Sequence, residues 1–152
     1  MRVKIRTNLP APSERVRELV IKPATLFYIS SPILRFRAQE PPPETFETMT
    51  YVFSMFAFGF IPLGRQAVVV ERPASHPEAS DGAWILRDNG HGQLVQRWDH
   101  YIFISDGENE TTDYTDFVDV DASWLTPLIA GFAHVFYRWR QHRWRRLLTA
   151  GQ

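Results

Sequence analysis

The segment 123–148 most constrains what this chain can fold into, because it is the only stretch that reads as a long helix. Thr126 is suited to cap its N-terminus, and Pro127 fits the first helical position, where no backbone N–H is needed. An apolar stripe follows at helical spacing: Leu125, Ile129, Phe132, Phe136 and Trp139. A helix of this length spans roughly 35 Å or more, so it can cover one face of a whole sheet.

The segments before this helix read mostly as strands. Alternating apolar and polar residues predict a strand over 2–9. Ser13 is then suited to cap a short helix that Pro23 stops, and a second helical turn is expected over 24–30. Further strands are predicted over 34–39, 49–61, 65–72, 83–88, 93–104 and 110–121.

Three short segments read as turns between these strands: Leu63-Gly64, NGHG at 89–92, and the Asp106-Gly107 pair, which is typical of a tight hairpin. The order is one strand, one or two short helices, about six strands and one long helix. An antiparallel sheet of six or seven strands needs an element to cover its inner face, and only the C-terminal helix is long enough. The sequence therefore predicts an α+β fold in a single domain over 1–152.

Four local features carry a resemblance to a known superfamily. They are the opening strand followed by PSERVRELV, RWDH in a long strand, YTDFVDV in its partner, and the final FYRWRQHRWRRLL. With them the chain resembles the START-like, or helix-grip, superfamily, also called SRPBCC, and within it a bacterial group of polyketide-cyclase-like or ligand-binding proteins. The resemblance implies a curved antiparallel sheet wrapped around the long helix, with a lipid, polyketide or quinone-like ligand between them. It does not fix an activity, since this superfold hosts enzymes, carriers and receptors.

Strand parity gathers four residues on one predicted wall. Trp98 and His100 share a face of the first long strand, and Tyr114 and Asp116 share the apolar, inward face of its partner. Counting back from the Asp-Gly turn places Trp98 and His100 opposite 112–116. The wall can be a buried polar pair that satisfies itself, a ligand contact, or an acid/base site in which His100 acts with Asp116 or Tyr114.

Aromatic rings and one arginine complete the predicted ligand site. Phe53 belongs to the aromatic strand over 49–61, Phe132 and Phe136 lie on the helix stripe, and Arg140 lies close to that stripe. Arg140 can bind a ligand carboxylate, pair with the acidic hairpin, or reach solvent from the helix end. The aromatic strand cannot pack both faces on one helix, so its other face needs the first helices, the proline-rich loop or a homodimer contact, which we predict there.

Composition narrows the classes of function. The absence of cysteine excludes disulfides and thiolate metal sites, and the five histidines show no ligand-like clustering, so no metal or cofactor is expected. A formal net charge of zero argues against nucleic-acid binding, although arginines interleaved with tryptophans on the last helix suggest it. The longest apolar run, 51–64, is too short to span a membrane, and no apolar leader is visible, so a cytoplasmic protein is expected.

We therefore expect a protein that binds a hydrophobic small molecule between sheet and helix. The alternative is an enzyme, a polyketide cyclase, aromatase or dehydratase that uses His100 with Asp116 or Tyr114. A third alternative is an interaction module with a filled core. A cavity of about 300 Å³ or more would separate the first two from the third.

Overall fold

The computed structural model describes residues 1–150, in which seven antiparallel strands form one sheet covered by three helices. The strands are β1 (Arg2–Leu9), β2 (Leu34–Ala38), β3 (Thr50–Ala57), β4 (Ile61–Glu71), β5 (Trp84–Gly92), β6 (Arg97–Asp106) and β7 (Thr112–Asp121). The helices are α1 (Ser13–Val20), α2 (Pro23–Ser30) and α3 (Thr126–Ala150), with a 3-10 turn over Ser123–Leu125 before α3. The strand order is β1-β7-β6-β5-β4-β3-β2. The predicted α+β arrangement, an antiparallel sheet with one long C-terminal helix, is confirmed.

Helix α3 packs on the sheet through a face that differs from the predicted stripe. Its buried residues are Ala130, Ala133, Phe136, Tyr137, Arg140, Gln141, Trp144 and Leu148. Phe136 is the only member of the predicted stripe that is buried, and Phe132 is 38% exposed. The buried face is rotated about the helix axis relative to the predicted stripe. The prediction missed this because the buried face includes Tyr137, Arg140 and Gln141, which a search for apolar residues at helical spacing does not select.

The two helix starts differ from the predicted caps. Ser13 does not cap α1, because its hydroxyl donates to the carboxylate of Asp106 at the end of β6. Helix α3 begins at Thr126, which is therefore its first residue and not its N-cap, and the first residues of the predicted segment 123–148 form the 3-10 turn. The Thr126 hydroxyl accepts the N–H of Ala122 at 3.0 Å and donates to the carbonyl of Ser123 at 2.6 Å, which holds that turn in place.

Two of the predicted turns lie inside strands. Leu63-Gly64 belongs to β4, and the chain turns at 58–60 instead. The NGHG segment belongs to β5, where Gly90 and Gly92 leave room for the side chain of Gln66 on the neighbouring strand. A Cβ atom at Gly92 would lie 2.3 Å from the Gln66 Oε1 atom, so these glycines serve close packing and not a turn.

The hairpin between β6 and β7 has a longer loop than the Asp-Gly pair predicts. Five residues, 107–111, connect the strands, and Asn109 and Glu110 adopt left-handed conformations with φ of 55° and 57°. As a result Trp98 pairs with Val120 and His100 with Val118, so their predicted placement opposite 112–116 is wrong. The shift preserves parity, and the inward face of each strand is the predicted one.

The aromatic segment predicted as one strand over 49–61 is divided by the turn at 58–60. Phe53 on β3 is buried, whereas Phe58 and Phe60 are 58% and 74% exposed at the turn. The homodimer contact expected on this segment stays a prediction.

A buried polar network fastens α3 to three strands. The Asp116 carboxylate on β7 accepts the Gln141 amide at 3.0 Å and pairs with the His100 Nε2 atom at 2.8 Å. The same Gln141 amide donates to the Ile5 carbonyl on β1 at 2.8 Å. Tyr114 donates to Asp116 at 3.4 Å. Such a network stabilises only while every buried member keeps its partners.

Replacing Gln141 by leucine should destabilise the protein by about 2–4 kcal/mol, because the Ile5 carbonyl and one Asp116 oxygen would lose their buried donor. Urea denaturation measures the free energy of unfolding. The matched control is His134→Leu, at an exposed position of the same helix, which should change stability by about 0.5 kcal/mol or less. Equal effects of the two variants would contradict this role of Gln141.

Candidate ligand-binding cavity

A cavity of about 410 Å³ lies between the inner face of the sheet and helices α2 and α3. Most of the 27 lining residues are aliphatic or aromatic. Besides Trp98 and Tyr137, the polar ones are Ser30, Gln66, Arg87, Asp88, His100 and Arg140. The core is therefore not filled, and its open space has the size and character of a small-molecule site.

Three partly exposed apolar residues mark the opening of the cavity. Leu128 and Phe132 on α3 are 69% and 38% exposed, and Leu94 in the β5–β6 connection is 41% exposed. All three line the cavity. The opening lies between the first half of α3 and that connection, while Phe136 and Arg140, farther along the helix, are buried.

The structure brings five of the eight predicted ligand contacts to the cavity wall: Trp98, His100, Phe132, Phe136 and Arg140. Tyr114 and Asp116 do not line the cavity. They lie behind His100, where Tyr114 accepts the Trp144 Nε1–H at 3.2 Å. Of the four residues predicted to form one wall, Trp98 and His100 therefore face the cavity, and Tyr114 and Asp116 do not.

Phe53 does not line the cavity either. Its ring packs with those of Phe27 and Phe36, at centroid distances of 5.9 and 5.8 Å, in a core cluster that includes Val68 and Val70 of β4. It supports the wall of the cavity through Phe36, which does line it.

The imidazole of His100 is a polar group on the sheet side of the cavity, and a hydrogen bond to Asp116 fixes its orientation. An ionised carboxylate only accepts, so the Nε2–H of a neutral His100 donates to Asp116, and Nδ1 is left as an acceptor. Burial lowers the pKa of His100, although Asp116 opposes that effect. The ring is therefore neutral near pH 7, and its Nδ1 atom can accept a proton or a hydrogen bond.

Sequence reasoning missed Asp88 and Gln66. Asp88 follows Trp84 and Leu86 on one face of β5, inside the strand predicted over 83–88, but a single acidic residue at the end of a short strand gave no signal that it faces a cavity. One Asp88 oxygen accepts the Val69 N–H at 3.0 Å, in place of a backbone carbonyl. Burial raises the pKa of Asp88 to about 7, against the opposing effects of that hydrogen bond and of Arg140.

Arg140 lies on the helix side of the cavity and is 5% exposed. Its guanidinium sits over the Tyr137 ring at 5.1 Å from the centroid. It forms no ion pair with the acidic hairpin in the part of the chain described, and it does not reach bulk solvent. Neither of the two structural alternatives considered for it from the sequence is realised.

Two kinds of feature are absent from the described residues. No three His, Asp or Glu side chains within residues 1–150 are grouped so as to hold a metal ion. Over the same residues, no helix is long and apolar enough to cross a membrane.

Replacing Asp88 by asparagine should stabilise the protein at pH 8 by roughly 1–3 kcal/mol. Asparagine keeps an oxygen for the Val69 N–H but has no proton to lose. Between the unfolded-state pKa of about 4 and the folded-state pKa of about 7, native Asp88 holds a proton that the unfolded chain releases. Wild-type stability therefore falls as pH rises through that window.

Chemical denaturation at a series of pH values measures this effect. The difference in free energy of unfolding between Asp88→Asn and the wild type should grow from about pH 4 to pH 7 and then stay constant. Asp81→Asn, in an exposed loop, is the matched control and should show no such growth. A stability difference that does not vary with pH would contradict a raised pKa of Asp88 in the folded protein.

Solved structures share this architecture at low sequence identity. A START superfamily protein from Mycobacterium smegmatis matches with a TM-score of 0.71 and 11% identity, covering 99% of each chain. A protein from Chromobacterium violaceum matches with a TM-score of 0.68 and 13% identity over 97% of this chain and 96% of its own. The AHSA1 protein from Silicibacter pomeroyi matches with a TM-score of 0.65 and 10% identity over 100% of both chains.

No protein-family model matches the sequence, and no curated protein matches it. The structural likeness, at 10–13% identity, concerns the fold alone. The chain thus has the START-like, helix-grip fold that its sequence predicts.

Proposed function

We propose that this protein binds a hydrophobic small molecule, such as a lipid, a polyketide or a quinone-like compound, between the sheet and α3. The observation that carries the proposal is the cavity of about 410 Å³ with a mainly apolar lining. A chain that keeps so much apolar space open is better explained by an occupant than by an inert core.

The distribution of polar groups supports the same proposal. A ligand pocket typically combines apolar walls with a few polar groups that orient its occupant. Here the sheet contributes His100, Gln66 and Asp88, and the helix contributes Arg140. The START-like fold adds support, because the resemblance noted from the sequence implies a hydrophobic ligand in this place.

Filling the cavity should abolish binding of an apolar probe. Val68 lines the cavity, and Val69, the next residue of β4, does not. We expect Val68→Phe to weaken binding of the neutral fluorophore N-phenyl-1-naphthylamine by about tenfold or more, since the larger ring occupies ligand space. Val69→Phe is the matched control and should bind as the wild type does. Fluorescence titration measures both, and equal affinities would contradict binding in this cavity.

Native mass spectrometry of the purified protein tests whether the cavity takes up a natural occupant. We expect an adduct of one small apolar molecule per chain that is lost from Val68→Phe and kept by Val69→Phe. The mass of the adduct would distinguish a lipid from a polyketide or a quinone-like compound. An adduct that both variants retain equally would locate it elsewhere.

The His100–Asp116 pair favours a second candidate, an enzyme of the polyketide cyclase or dehydratase type. The Nδ1 atom of His100 has no hydrogen bond within residues 1–150, and the ring lines the cavity. Asp116 fixes the tautomer, so Nδ1 is a base that can remove a proton next to a ligand carbonyl. Tyr114 donates to Asp116 and stands behind the base, without facing the cavity.

The enzyme candidate can be tested with 1-tetralone, an apolar ketone, by following deuterium uptake at its α-carbon in D2O by NMR. We expect wild type to accelerate exchange over buffer and His100→Ala to lose that acceleration while keeping probe affinity within about threefold. Because burial lowers the His100 pKa, the rate should reach its plateau at a lower pH than it would for an ordinary histidine. Equal exchange with wild type and His100→Ala would reject His100 as a base.

A further inference from the structure

Arg140 is a buried cation whose donors are unused. It is 5% exposed, and its Nε–H has no hydrogen-bond partner within residues 1–150. None of the ion pairs formed by those residues includes it. An arginine stays charged in proteins, and a buried charge without acceptors is costly. The position calls for an acceptor that the described chain does not supply.

Two other partly buried arginines, in contrast, have hydrogen-bond acceptors within the protein. Arg143, one turn farther along α3, donates to the Tyr28 carbonyl at 3.2 and 3.1 Å. Arg87 donates to Asp99 at 2.8 and 2.9 Å and to Glu71 at 2.8 Å. Arg140 differs from both because its free donors border the cavity.

The acidic groups nearest to Arg140 do not fill this role. Asp116 contributes an attractive field, but its oxygens are engaged by His100 and Gln141. Asp88 also contributes, but one of its oxygens accepts the Val69 N–H. Neither carboxyl group accepts a hydrogen bond from Arg140 within residues 1–150, so the donors of Arg140 stay free.

We infer that the occupant is an apolar monocarboxylic acid whose carboxylate binds the guanidinium of Arg140 while its apolar body fills the cavity. A planar carboxylate matches the fork of a guanidinium with two parallel hydrogen bonds. A group with more negative charge is disfavoured, because Asp88 lies in the same cavity and only Arg140 is a cation with free donors there. This inference rests on the proposed function and specifies its ligand class.

The test uses displacement of N-phenyl-1-naphthylamine by dodecanoic acid and by its methyl ester, at pH 7.5. We expect the wild type to bind the acid at least tenfold more tightly than the ester. Arg140→Met should weaken acid binding by about 10- to 100-fold, as for a lost charge-assisted pair, and leave ester binding within about threefold. The preference for the acid should then disappear.

The matched control is Arg143→Met, which removes a guanidinium one turn away that does not line the cavity and should keep the acid preference. Circular dichroism and thermal melting establish that each variant folds. If Arg140→Met does not fold, Arg140→Lys keeps the charge without the fork and should show a reduced preference. The comparison of acid with ester on the wild type needs no variant.

Three outcomes would overturn the inference. The first is that the wild type binds acid and ester with equal affinity. The second is that neither compound displaces a probe that does bind. The third is that Arg140→Met and Arg143→Met lose equal amounts of affinity for the acid. In each of them N-phenyl-1-naphthylamine still binds, so the proposed function stands. If the probe itself does not bind, the proposed function fails, and the inference fails with it.

The pH dependence provides an independent readout. Ionisation of Asp88 adds a negative charge to the cavity. The other charged and titratable groups that line it are Arg87, His100, Tyr137 and Arg140, and Asp99 on β6 acts on Asp88 from outside the lining. Acid affinity should therefore rise as pH falls from 8 to 6, while dodecanoate stays ionised. Ester affinity should not change, and Asp88→Asn should flatten the profile for the acid. A profile that Asp88→Asn leaves unaltered would exclude this coupling.

Discussion

The arrangement of helix and sheet depends on the hydrogen bonds that the buried carboxylate of Asp116 accepts. It accepts from Gln141 on α3 and His100 on β6, while Gln141 also donates to the Ile5 carbonyl on β1. Hydrogen bonds are directional, so this set fixes the position and rotation of α3 more narrowly than apolar packing would. The open cavity beside it needs such a fixed point. If the helix were not held in place, it could move toward the sheet and close the cavity.

The two sides of the cavity differ in how their polar groups are satisfied. On the sheet side, Asp116 has its partners within the protein, and His100 turns one nitrogen toward the cavity. On the helix side, the guanidinium of Arg140 has a buried N–H without a partner. A closed network therefore stabilises the fold, and the cation next to it is the group to which we assign the carboxylate of the proposed ligand. The same low-dielectric setting strengthens both effects.

Much of the fold and part of the site could be predicted from local patterns. Period-two alternation identified the inward faces of β6 and β7, and the pairing of His100 with Asp116 survived an incorrect register because the error was an even number of residues. The NGHG segment misled because glycine marks both turns and close packing, and only the neighbouring Gln66 side chain decides between them.

The sequence by itself determined the element order, the antiparallel sheet with its single long covering helix, and the alternation that points His100 inward. These follow from local spacing and from the need to cover one apolar face. Tertiary structure alone decided which face of α3 is buried, that Tyr114 and Asp116 lie behind the cavity wall, and that Arg140 faces it without an acceptor. Those outcomes depend on contacts between residues distant in the chain, such as Gln141 with Ile5, which no local pattern encodes.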